Sequence, residues 1–164
     1  GDSFVIIKIT DMIQINVKRV LFLALICCMI LFIWSRSTVS IEQSLEQSGT
    51  VTEIVEAVLE ALDVDDSGID IMHIVRKSAH FAEFALLGLL VGAYNIRYKM
   101  LKIRYLLFAS EICFFVALID ETIQIFANRG AQPSDVMLDF AGSLTGVLLI
   151  TLAIMLKNKF KKKR

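Results

Sequence analysis

Four apolar stretches, at about 18–37, 78–96, 105–127 and 136–156, dominate the 164-residue sequence. Each approaches the ~20 residues that a helix needs to cross a ~30 Å hydrocarbon core. A soluble core of this size could not absorb them, because 56% of the chain is hydrophobic and its mean hydropathy is +0.68. Lipid must cover most of that surface, and in lipid every backbone polar group has to be satisfied within the segment. The expected fold is therefore all-α: an integral membrane four-helix bundle in which residues 1–164 form a single domain. The uncharged part of the first stretch is short, so Lys18 and Arg19 should snorkel to one interface while Trp34 anchors the other end. Lys18 and Arg19 ahead of Val20 to Trp34 look superficially like a signal peptide, but no small-residue cleavage site follows Trp34. The segment is read as a retained span.

Charge sets the orientation. Formal net charge is zero, yet the basic residues are segregated. Three Lys or Arg precede the first span, four (Arg97, Lys99, Lys102, Arg104) lie between the second and third, and six fall in the tail 157–164. The opposite side receives only Arg36, Arg76, Lys77 and Arg129, while the loop 38–75 holds nine carboxylates from Glu42 to Asp70. The positive-inside rule then makes both termini cytoplasmic and the acidic loop extracytoplasmic. The tail suits anionic inner-leaflet lipids. With no Gly-rich phosphate loop, no nucleotide or nucleic-acid partner is expected.

Within the acidic loop, Val51, Ile54, Val55, Val58, Leu59 and Leu62 recur at helical spacing opposite Glu53, Glu56 and Glu60. Thr50 and Glu53 fit a capping box, and Asp65-Asp66-Ser67-Gly68 fits a terminating turn. An amphipathic extracytoplasmic helix is expected here, packed on the bundle or lying in the headgroup layer. The three cysteines, Cys27, Cys28 and Cys113, lie in apolar runs without Cys-x-x-Cys spacing, so neither a disulfide framework nor a cysteine metal site is expected.

Three polar groups interrupt the apolar runs, all at the outer ends of the last three spans. In RKSAHFAEF, the residues Arg76, His80 and Glu83 fall within about 60° of one another at ~100° per residue, with Lys77 beside them. In ALIDETIQIF, Asp120 and Gln124 are one turn apart and Glu121 sits about 100° from Asp120. Ala117 and Cys113 continue that face with small side chains. In NRGAQPSDVMLDF come Arg129, Ser134, Asp135 and Asp139, with Gly142 and Gly146 extending the Asp135–Asp139 stripe. A charge at the membrane centre costs at least ~2.5 kcal/mol, so these groups must meet counter-charges, water or a ligand. The simplest solution turns all three stripes inward. Glu111 lies on the opposite face from Asp120 and should reach the inner interface or pair with Arg104 or Lys102.

The order RKSAHFAEFALLGLL, ALIDETIQIF, NRGAQPSDVMLDFAGSLTGVLL resembles the VanZ-like family of bacterial membrane proteins over about Arg76 to Leu149. The family pattern, Lys-x-x-His-x-x-Glu or a close variant, then Asp-Glu-x-x-Gln, then Arg-Gly-x-x-x-Ser-x-Asp leading into an Asn/Asp-x-x-Gly helix, falls on Lys77, His80, Glu83, Asp120, Glu121, Gln124, Arg129, Ser134, Asp135 and Asp139. Asp139 departs from it, since Asn is common there, and would make a pocket more acidic. The family is similar to proteins that confer resistance to the glycopeptide teicoplanin. The resemblance thus implies a multi-pass protein of the bacterial plasma membrane with a role at the cell envelope.

Several functions compete for the polar groups. In the first, an outward-facing pocket binds a lipid-linked cell-wall precursor or a lipoglycopeptide, with Arg76, Lys77 and Arg129 on phosphate or carboxylate. In the second, a membrane enzyme acts on a lipid-linked precursor, with His80, Glu83, Asp120 or Glu121 as catalytic candidates. His80 with Glu83 and the Asp120–Glu121 pair could hold a divalent metal, but the spacing matches such sites only loosely and neither metal nor cofactor is expected. In the third the charges only lock helix ends together. Transport has the least support, because no polar path runs through the inner half.

Overall fold

The computed structural model describes residues 2–39, 49–57, 70–99, 103–127 and 132–161, and all regular structure among them is helical. The helices are α1 (Asp2–Ser37), α2 over 49–57, α3 (Ile71–Lys99), α4 (Ile103–Phe126) and α5 (Pro133–Lys161). The short link between α3 and α4 and the mutual packing of α3, α4 and α5 make an up-and-down arrangement, with α1 laid against α3 and α4.

By length and apolarity, Val17–Ser37, Ile71–Arg97 and Pro133–Lys161 can cross a membrane. Helix α4 is long enough, but any 18 consecutive residues of it include at least three of Arg104, Glu111, Asp120 and Glu121. The helices overrun the expected spans. α3 begins at Ile71 rather than near residue 78, because Asp70 caps it: the Asp70 carboxylate accepts from the His73 amide at 2.9 Å. α5 begins on Pro133, whose fixed φ suits a first helical position, and the Asp135 amide donates to the Gln132 carbonyl at 2.8 Å. At its far end α5 carries Lys157, Lys159 and Lys161, so part of the basic tail is helical.

The tightest packing is between α3 and α5, and glycine makes it possible. A Cβ on Gly142 would lie 2.5 Å from the Phe81 carbonyl oxygen; one on Gly146 would overlap the Ala85 carbonyl oxygen, and one on Gly88 the Ser143 carbonyl oxygen. The two backbones therefore touch along a seam, as the G-x-x-x-G spacing anticipates. Phe84, Leu87 and Val91 of α3 fill the core with Ala109, Cys113, Val116 and Ala117 of α4, Val147 of α5, and Ile26 and Ile33 of α1. The small residues Cys113 and Ala117 are fully buried. Large apolar side chains such as Leu21, Phe32, Phe115 and Leu152 face outward, as a lipid solvent permits.

Arg19 does not simply snorkel. Its Nε donates to the Tyr94 hydroxyl at 2.8 Å, tying α1 to α3 at the end of the bundle away from the polar groups. Trp34 Nε1 donates to the Val116 carbonyl at 3.4 Å. Glu111 is exposed, and Arg104 lies over the Tyr105 ring instead, 5.1 Å from its centroid. On the expected apolar face of α2, Val51 and Ile54 are exposed and Val55 is half-buried, while Thr52 is buried. The remainder of that expected helix, 58–62, and its terminating turn lie outside the described residues. All three cysteines are free, Cys113 buried and Cys27 and Cys28 exposed on α1.

Candidate functional site

The three polar stripes meet at one end of the bundle, where α1 and α4 finish and α3 and α5 begin. The antiparallel arrangement forces this: Arg36 and Ser37 end α1, and they arrive opposite Glu83 of α3 and Asp120 of α4. Asp120 is wholly buried. Its Oδ1 accepts from the Ser37 hydroxyl at 2.6 Å and its Oδ2 from Gln124 Nε2 at 2.9 Å, and the same amide nitrogen reaches Glu121 Oε1 at 3.0 Å. One Gln thus clamps two carboxylates of its own helix. Two ion pairs bind the stripes across helices, Arg36 Nε to Glu83 Oε1 at 3.3 Å and Lys77 Nζ to Asp135 Oδ1 at 2.7 Å.

Above Asp120 the stripes separate and enclose a cavity of about 190 Å³. Of the residues expected at a site, Arg76, Lys77, His80, Glu121, Gln124, Asp135 and Asp139 line it. Glu83 does not, since it turns toward Arg36. Asp120 lies beneath the lining, and Ser134 is exposed at the mouth, its hydroxyl 3.3 Å from Gln132 Oε1. Arg129 lies outside the described residues. His73, Gln132 and Leu138 complete the wall and were not anticipated. His73 is one turn before Lys77, a spacing that could have found it.

In the lining, Arg76 Nε and Asp139 Oδ2 are buried without a hydrogen-bond partner among the described residues. Asp139 is only 1% exposed. His80, Asp120 and Asp139 each offer an atom able to ligate a cation, all within 4.8 Å of one another. Glu83 and Glu121 are not in that set. Cationic and anionic side chains therefore line the same cavity. Against its outer wall lies an apolar groove of about 260 Å³, formed by Ile74, Ser78 and Phe81 and sharing His73, Lys77 and Leu138 with the cavity.

A family model described as VanZ/LLP1 matches residues 22–155, which takes in both the polar end and the α3–α5 seam. The chain belongs to the VanZ/LLP1 family. The match runs well beyond the motifs of α3 to α5, because it includes the second half of α1 and with it Arg36 and Ser37, which bind Glu83 and Asp120. Together with the long apolar helices, membership makes this a VanZ/LLP1-family membrane protein. No curated protein and no solved structure matches the chain.

Proposed function

We propose that this VanZ/LLP1-family protein binds the anionic headgroup of an amphiphilic envelope molecule, and contributes in this way to glycopeptide resistance of the teicoplanin type. The observation that carries the reading is the adjacency of a charged cavity and an apolar groove that share His73, Lys77 and Leu138. A cavity of about 190 Å³ is smaller than the ~300–1,000 Å³ that encloses a drug-sized ligand. It suits a phosphate or carboxylate headgroup, with the acyl chain in the groove and the rest of the molecule outside. The buried Arg76 Nε supplies a donor in search of an acceptor, and Lys77 a second cation.

In this reading the protein is a bacterial plasma-membrane protein with four spans. Helix α4 joins the other three, its ~36 Å length being sufficient to cross. Its Asp120 and Glu121 sit at the polar end, where hydrogen-bond partners receive them, while Glu111 is exposed nearer the start of the helix. The basic tail holds both termini in the cytoplasm, so the cavity opens on the extracytoplasmic side.

Native mass spectrometry of the detergent-purified chain tests the binding. A co-purified anionic lipid or lipid-linked precursor, lost on Arg76→Gln with the fold intact, is the expected result. Adducts that are absent from the wild type, or unchanged in Arg76→Gln, would overturn the reading.

The convergence of His80 with Asp120 and Asp139 favours one second reading, a hydrolase or transferase acting on that headgroup, with His80 or a neighbouring carboxylate as general base. Turnover of a lipid-linked pyrophosphate in proteoliposomes separates it from simple binding.

A further inference from the structure

We infer that His80, Asp120 and Asp139 form a divalent-cation site at the floor of the cavity. They come from three different helices, α3, α4 and α5, which no sequence spacing relates. Their ligand atoms nevertheless lie within 4.8 Å of one another. Ligands ~2.0–2.2 Å from a common ion sit ~3 to 4.4 Å apart, so the three converge to within a small side-chain adjustment of coordination.

Asp139 gives the independent indication. It is 1% exposed, it lines the cavity, and its Oδ2 has no hydrogen-bond partner among the described residues. A buried carboxylate oxygen without a donor is costly, and an ion bound there would supply what the protein does not. The α3–α5 seam holds it in place. Phe81 follows His80 directly, and Gly142 lies three residues beyond Asp139, so the contact of Gly142 with the Phe81 backbone fixes the distance between the two ligands.

Asp120 is already oriented. Ser37 and Gln124 donate to its two oxygens at 2.6 and 2.9 Å. Such outer hydrogen bonds orient ligating carboxylates and sustain affinity. One imidazole with two carboxylates suits Zn²⁺ or Mn²⁺ better than Ca²⁺ or Mg²⁺, which take oxygen ligands. Three protein ligands leave coordination positions open, and His80 and Asp139 border the cavity, so those positions face whatever enters it. The ion and the Arg76–Lys77 side would then grip one anionic headgroup from two directions.

The test uses the full-length chain with its affinity tag removed, stripped with EDTA and titrated with Zn²⁺ or Mn²⁺ alone. Metal content after desalting and calorimetric affinity are read together with thermal melting. The wild type should retain one ion per chain and melt several degrees higher when loaded. His80→Gln and Asp139→Asn should each weaken binding at least ~10-fold, Ser37→Ala by ~10-fold, and Glu111→Gln, exposed and away from the polar end, not at all. Absorption of the Co²⁺-loaded wild type reports nitrogen and oxygen ligation even if a variant fails to fold. A wild type that binds no ion, or folded variants that bind as well as it does, would overturn the assignment. Lipid adducts in the metal-free protein would leave the headgroup reading standing alone.

Discussion

Ser37, the last residue of α1, donates a hydrogen bond of 2.6 Å to Asp120 of α4, and both side chains are completely buried. The bond couples the most loosely packed helix to the deepest carboxylate of the polar end. Ser37→Ala removes one of the donors to Asp120 and should cost ~1–2 kcal/mol of stability. A thermal melt in detergent measures it; no change would mean that water replaces the hydroxyl and that Asp120 is wetter than its burial indicates.

Asp120→Asn and Asp139→Asn separate a site from a lock. If these groups only pin helices, losing a buried partner should cost ~3–5 kcal/mol and function should fall with the amount of protein. The site reading predicts otherwise: membrane abundance close to wild type and melting close to that of the metal-free wild type, with glycopeptide protection gone in a sensitive host. Folded, abundant and fully protective variants would remove the site.

The α3–α5 seam predicts a sharp contrast between glycines. Gly146→Leu must push apart backbones already in contact and should lose more than the ~1–3 kcal/mol usual for overpacking. Gly49→Ala meets nothing within 4 Å and should stay within ~0.5 kcal/mol of wild type. Melting temperatures of the two variants, prepared side by side, check this.

How much of this could be read from the sequence depends on which geometric variable is asked for. Helical periodicity gives the angle of each side chain about its own axis, which is why Arg76, His80, Asp120, Gln124 and Asp139 could be assigned inward faces. It gives neither the rotation of the neighbouring helix nor its depth. Glu83 shares a stripe with His80 yet turns to Arg36, and Asp139 rather than Glu83 or Glu121 joins His80 and Asp120. Arg36 carried a signal that went unused: like Arg76 and Lys77 it runs against the positive-inside trend. Ser37 carried none, because a serine at the end of a span is ordinary. The early start of α3 was legible in principle, since Asp70 precedes Ile71 as a good cap.

The two ion pairs should matter more to geometry than to stability. Their side chains are 18% to 39% exposed, so each pair is worth ~0–1 kcal/mol. Lys77→Gln should therefore leave the fold intact while releasing Asp135 into the cavity and weakening anion binding. Exchanging the charges, Arg36→Glu with Glu83→Arg, should restore whatever either single change loses. Susceptibility and melting of the single and double variants decide it.

Orientation is open to direct labelling. Ser67→Cys and Gln132→Cys should react with an impermeant thiol reagent on intact cells, and Lys99→Cys should not. The reverse pattern would place the polar end in the cytoplasm.

Backbone contact along Gly88, Gly142 and Gly146 also limits what the molecule can do mechanically. Alternating access needs two halves that rock past each other about a central site. Here α3 and α5 cannot slide without lifting out of register, so they move as one body, and the freer partners α1 and α4 are held to it at the polar end through Arg36–Glu83 and to each other through Ser37–Asp120. On the binding reading proposed above, displacement is then confined to a breathing of one rim, which would admit a guest and release it on the same side of the bilayer.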